Sequence, residues 1–171
     1  VHASVMARNK LITDEVVLAE VLKLLLLIGQ KSVTFAAVAH QCKLAPPTLV
    51  QRFGSCAAMI DASLSMAWTQ MEAQTSEVFA TGKGIQGILK ALSGPMDTPA
   101  LVAASLQDPK LADRAKAWRD QVETALASKL GTGAKARETA ALTFAAWQGR
   151  LLWEGAGGKG FRLGEALKRL T

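Results

Sequence analysis

The sequence predicts an all-α chain of two parts, and three observations support that prediction. Apolar residues recur at three- and four-residue spacing in the long stretches, as one face of a helix requires. No segment alternates convincingly at period two, so no sheet is expected. Helix punctuation is frequent: Thr13, Thr34 and Ser55 stand where N-caps are needed, and Gly29, Gly131, Pro95 and Pro109 where helices stop or begin. Half of the 171 residues are apolar, so a sizeable core can form, in one large domain or in a small domain fused to a modest one.

Thr13 caps a first helix, with Asp14 and Glu15 in the first turn, where the helix dipole favours acids. Val17, Val21, Leu24, Leu25 and Ile28 hold helical spacing, and Gly29 can end the helix in a left-handed conformation. Thr34 opens a second helix through about Gln41, and the small Ala37, Val38 and Ala39 permit close packing against the first. Lys43-Leu44 forms a turn, with Leu44 pointing inward. Pro46 and Pro47 fall in the first turn of a third helix, where a missing N–H costs nothing. Leu49 and Phe53, four apart, face the core, which leaves Thr48, Val50, Gln51 and Arg52 outward. Ser55 caps a long fourth helix over 55–80 carrying Met59, Ile60, Leu64, Trp68 and Met71.

After a loop over 81–84, short helices are expected over 85–92 and 99–106, long ones over 110–130 and 134–154, and a last one over 163–170. The expected organisation is a helix-turn-helix unit over residues 10–54 and a helical unit over residues 55–171.

Charge is unevenly distributed. The net charge is +6 and the pI about 9.6, which alone says little about an anionic partner. Between Glu20 and Asp61, however, no acidic residue occurs, while the same forty positions hold Lys23, Lys31, Lys43 and Arg52. From Asp61 onward the chain is nearly balanced, with fourteen basic and eleven acidic residues. An acid-free zone over the helix-turn-helix is what phosphate repulsion would require of a surface that meets DNA. The apolar run from Val16 to Ile28 is too short for a bilayer and is interrupted by Glu20 and Lys23, so no membrane association is expected. Acids precede it and no small-residue cleavage site follows, so it does not read as a signal peptide. Cys42 and Cys56 lack the close spacing of a zinc site or a disulfide framework and fit reduced thiols of a cytoplasmic protein.

The segments Val33-Thr-Phe-Ala-Ala-Val-Ala39 and Thr48-Leu-Val-Gln-Arg-Phe-Gly-Ser55, with the turn between them, resemble the TetR family of one-component bacterial regulators. The likeness runs from Leu18 to Ile60 without gaps, about a quarter of the chain. It implies a homodimeric transcriptional regulator, a repressor that leaves a palindromic double-stranded DNA operator when a small effector binds the C-terminal unit; the lack of tyrosine and the few acids there point to an apolar or weakly polar effector. By the same resemblance Thr34 contacts phosphate through its hydroxyl and backbone N–H. Pro46, Pro47 and Thr48 open the recognition helix; Pro47 can meet a thymine methyl and Thr48 a base or a phosphate. Gln51 could read adenine, and Arg52 a phosphate or a guanine. Lys43 and Ser55 complete the DNA-binding set, and Lys31 adds nonspecific attraction. The chain departs from the family pattern in four places. Lys43 stands for the turn Gly and Ala45 for a Ser or Thr cap, at about 1 kcal/mol each. Val50 stands for a Tyr and Cys56 for a Lys, each removing a phosphate contact and flattening the salt dependence of binding. A degenerate relative that binds a small molecule or a protein without specific DNA binding is the alternative.

Other motifs carry less. Gly155-Ala-Gly-Gly-Lys-Gly160 fits G-x-G-x-x-G but follows a helix, with no βαβ unit around it. His2 and His40 stand alone, so neither a metal site nor a catalytic set is expected, no cofactor is implied, and the chain does not read as an enzyme. Trp68, Met71, Phe79, Trp118, Phe144 and Trp147 lie on three long helices; they could enclose an apolar effector pocket or be ordinary core. Ala141, Ala145 and Gly149 lie four apart, flanked by Leu142, Leu152 and Trp153. With Leu163 and Leu167 of the last helix they read as a dimer interface in a four-helix bundle, against burial within the monomer.

Overall fold

A computed structural model describes residues 12–81, 84–94, 97–157 and 165. Among these the chain is all α, with eight helices and no strand. They are α1 (Asp14–Leu27), α2 (Phe35–Cys42), α3 (Pro46–Phe53), α4 (Cys56–Ala80), α5 (Ile85–Leu92), α6 (Thr98–Ser105), α7 (Pro109–Leu130) and α8 (Ala134–Trp153). Short 3₁₀ turns occupy Gln30–Ser32 and Glu154–Ala156. The helix expected over 163–170 lies outside the described residues, apart from Glu165. Two compact units divide the chain, one ending at Ser63 and one starting at Leu64.

In the first unit, α1 buries Val17, Val21, Leu22 and Leu25, α2 buries Val38, Ala39 and Cys42, and α3 buries Leu49. Met59 and Ile60 complete this core from the start of α4, and the Ser63 hydroxyl donates to the Leu18 carbonyl at 2.8 Å. Phe53 and Leu44 are only half-buried. Thr13 occupies the N-cap of α1 but makes no side-chain bond to the helix amides, contrary to expectation. Its hydroxyl instead serves Glu15 and holds that carboxyl below its ordinary range. The corner after α1 depends on Gly29, at φ +108°. From there its N–H reaches the Leu24 and Leu25 carbonyls, while the Ser32 hydroxyl donates to Leu24 and Gly29. A Cβ at that φ would be strained, so the residue has to be glycine.

The turn between α2 and α3 rests on Lys43, the only described non-glycine residue with positive φ, at φ 54° and ψ 41°. Its left-handed geometry lets the Leu44 N–H close on the Ala39 carbonyl at 2.9 Å, as a glycine would. The cap penalty expected at Ala45 does not arise. A Ser or Thr there would accept from the N2 or N3 amide. N2 is Pro47, which has no N–H, and the N3 amide of Thr48 already donates to the Ala45 carbonyl at 2.9 Å.

In the second unit, Asp97 caps α6 by accepting from Ala100 N–H, and Asp108 caps α7 by accepting from Leu111 N–H. The core gathers Trp68, Met71, Ile88, Leu92, Leu101, Trp118, Val122, Leu126 and Trp147. Each of three indole N–H groups finds a hydroxyl: Trp68 donates to Ser105 at 2.8 Å, Trp118 to Thr75 at 2.8 Å and Trp147 to Ser93 at 2.7 Å. Arg114 ties α7 to α4. Its guanidinium grips Glu72 in bidentate fashion at 2.9 and 2.8 Å, and also donates to the Ser65 carbonyl and the Thr69 hydroxyl. That partnership with Glu72 raises the guanidinium further above its ordinary pKa.

Candidate nucleic-acid interface and ligand cleft

Helix α3 has two sides. Leu49 faces the core and is fully buried. On the opposite side Pro46, Pro47, Val50 and Gln51 are exposed, Val50 to 46%. Spacings of three and four make Val50 a neighbour of Pro46 and Pro47, and Gln51 a neighbour of Pro47, so the four form one continuous stripe. Thr48 lies at its margin, half-buried.

Arg52 is not on the stripe, which corrects the expectation that it faces outward to phosphate or guanine. Its Nη1 donates to the Ile12 carbonyl at 2.8 Å and pairs with Asp14 at 3.4 Å, and only 23% of the side chain is exposed. It clamps the last turn of α3 onto the chain entering α1. The carbonyl and the carboxylate hold a cation that would otherwise be free for DNA.

Two other candidate residues are also partly engaged. The Thr34 hydroxyl accepts from Ala37 N–H at 3.1 Å, and the Thr34 amide donates to the Ser32 carbonyl at 3.1 Å. Its hydroxyl proton remains for a phosphate, but its own amide does not, a second correction. The Ser55 hydroxyl accepts from Ala58 N–H at 3.1 Å, as the α4 cap requires. Lys31, Thr34 and Lys43 are exposed, at the two ends of α2. Cys42 is buried, and burial pushes its thiol up, with Glu20 adding to the effect. The protonated thiol is therefore the favoured form, as suits a core residue.

Four of the six residues of the aromatic set pack against one another. Trp118 meets Trp68 edge-on at 6.0 Å between ring centroids and Phe144 at 5.7 Å. It also lies 6.2 Å from Trp147, and Phe144 meets Trp147 at 5.7 Å. Rings at these spacings fill the space between the helices with one another. Trp68, Met71, Trp118 and Trp147 are buried, while Phe79 and Phe144 are half-buried. A cleft of about 230 Å³ opens elsewhere in the second unit, lined by Ser93, Gly94, Asp97, Thr98, Pro99, Leu151 and Glu154. None of the six aromatic or methionine candidates lines it. Thr98 is fully buried there, and its hydroxyl has no hydrogen-bond partner.

The proposed dimer face on α8 is open among the described residues. Leu142, Leu152 and Trp153 are 56%, 65% and 61% exposed, Ala145 is exposed, and Ala141 and Gly149 are half-buried. Apart from its chain neighbours and its own helix backbone, no described atom lies within 4 Å of where a Gly149 Cβ would stand. A mid-helix glycine costs about 1 kcal/mol against alanine, and nothing in the described protomer requires one there. Leu163 and Leu167 lie outside the described residues. No group of three or more His, Cys, Asp or Glu suited to a metal occurs among the described residues. No described helix is long and apolar enough to cross a membrane.

The arrangement is that of an all-α chain whose N-terminal unit carries a helix-turn-helix. Its fold is shared with a solved structure provisionally described as a regulatory protein, SCO4313. The two superpose with a TM-score of 0.63 over 92% of each chain, at 17% identity. No family model matches the chain, and no curated protein matches it in sequence.

Proposed function

We propose that this chain is a dimeric, DNA-binding transcriptional regulator of the TetR type, most simply a repressor. The observation that carries the reading is the exposed α3 stripe, set in an acid-free zone behind a tight left-handed turn. A short helix presented this way suits a major groove about 12 Å wide. The shared fold with a regulatory protein supports the reading. So does the apolar α8 face: Leu142, Ala145, Gly149 and Leu152 follow alternating spacings of three and four, the seam of a helix–helix contact. A dimer would bring one α3 helix from each copy to a palindromic operator, with half-sites about one helical turn apart or somewhat more.

Control would come from a small effector bound to the second unit, with the cleft at Asp97, Thr98 and Glu154 as its place. Two carboxylates in the lining favour a ligand with a cation or hydrogen-bond donors, in place of the apolar or weakly polar one expected from the sequence. Moving a regulator from 99:1 to 1:99 between its DNA-binding and released states takes about 5.5 kcal/mol of differential affinity. Such a regulator works in the cytoplasm.

Selection of bound duplexes from a random DNA pool tests the reading. A palindromic consensus whose complex weakens steeply with salt is the expected outcome; the absence of any enriched sequence would refute it. A second reading has its own support. With Arg52 engaged by Ile12 and Asp14, and Val50 and Cys56 where the family has Tyr and Lys, few phosphate contacts remain. A protein that binds a ligand or partner without specific DNA binding would give no consensus in that selection.

A further inference from the structure

We infer that the recognition surface selects A·T base pairs in the core of each half-site, through thymine methyl groups and the major-groove edge of adenine. The inference rests on the DNA-binding reading above and adds what that surface recognises. Of the residues on α3, those presented outward are Pro46, Pro47, Val50 and Gln51. Three of the four are apolar, and the fourth is an amide. In the major groove the apolar feature is the C5-methyl of thymine, and the residue pair suited to adenine N6 and N7 is Gln or Asn in bidentate contact. Guanine is read most often by an Arg or Lys fork on O6 and N7. The one cation in α3, Arg52, is turned away, with its Nη1 on the Ile12 carbonyl and Asp14. The stripe therefore offers contacts that A·T pairs match and lacks the fork that G·C pairs use best. A protein partner could also cover three apolar side chains, but the absence of acidic residues from Val21 to Ile60 favours a polyanion over a generic protein surface.

The test uses the full wild-type chain and duplexes recovered from a random pool, with binding followed by fluorescence anisotropy at fixed salt. Half-site cores are expected to be A·T. Replacing their thymines with deoxyuridine, which deletes only the methyl, should weaken binding about fourfold per contacted methyl. Replacing the adenine opposite Gln51 with 7-deazaadenine should weaken it about tenfold for the wild type and little for Gln51→Ala. Unchanged affinity on both substitutions, or enriched cores built of G·C pairs, would overturn the inference while leaving the DNA-binding reading intact. A pool that yields no enriched duplex would instead sink that reading, and the inference with it.

Discussion

Replacing Arg52 with alanine separates a structural clamp from a DNA reader. In the structure the guanidinium donates to the Ile12 carbonyl at 2.8 Å and lies 3.4 Å from Asp14. A hydrogen bond from a charged donor contributes about 1.5–3 kcal/mol. The side chain is 23% exposed, so water can replace part of that bond and the lower end applies. The Asp14 carboxylate is 59% exposed, and its ion pair adds no more than about 0.5 kcal/mol. Arg52→Ala should therefore destabilise the first unit by about 1.5–2 kcal/mol. Urea unfolding can localise the loss, because all four tryptophans fall at Trp68 or later, in the second unit. Circular dichroism follows both units, whereas tryptophan fluorescence follows the second. The expected result is a lower midpoint by circular dichroism and an unchanged slope of log affinity against log salt in DNA binding. Stability within about 0.5 kcal/mol of wild type, with a salt slope smaller by about one, would show Arg52 on a phosphate and refute the clamp.

Further outcomes follow from the same geometry. Trp118→Phe leaves the buried Thr75 hydroxyl without its indole donor and opens space in the aromatic cluster, so the second unit should lose about 1–3 kcal/mol in thermal melts. In a thiol-reagent titration Cys56, half-exposed, should react at once and Cys42 only as the chain unfolds. Because the folded Cys42 thiol titrates above its ordinary value of 9.0, its contribution to stability is complete below that value. That contribution is lost as pH rises through the raised one. Leu142→Glu, at a site 56% exposed, should leave the helical circular dichroism of the folded chain unchanged yet shift sedimentation from dimer to monomer; an unchanged dimer would remove α8 from the interface.

The helices were largely legible in the sequence because their signals are local. Thr34 and Ser55 bond amides three residues on, and Pro46, Pro47 and Pro109 mark first turns by a conformational limit of their own ring. Lys43 was legible as a turn only by its place between two helices, since a lysine seldom takes a left-handed conformation. The role of Arg52 was hidden, because its main partner is a backbone carbonyl forty residues away and a carbonyl leaves no trace in the identity of Ile12. The aromatic set was ambiguous for a related reason. Helical spacing placed Trp68, Trp118 and Trp147 on inward faces, but the same pattern serves a filled core and a lined cavity. The hydroxyls of Ser93, Thr75 and Ser105 anchor the three indoles, and each comes from a different helix or helix end than the tryptophan it serves. The cleft was illegible because Asp97 and Glu154 are far apart in sequence, and nothing local marks either as part of a site.

Val50→Glu tests the central claim most directly. The side chain is 46% exposed and bonds to nothing in the fold, so folding should be undisturbed, with a melting temperature within about 2 °C of wild type. If the α3 stripe enters the major groove, a carboxylate there meets the phosphates and an apolar base contact is lost. Affinity for the selected duplex, measured by anisotropy at fixed salt, should then fall by about a hundredfold or more. An affinity within twofold of wild type, in a protein that remains folded and dimeric, would show that α3 does not read DNA.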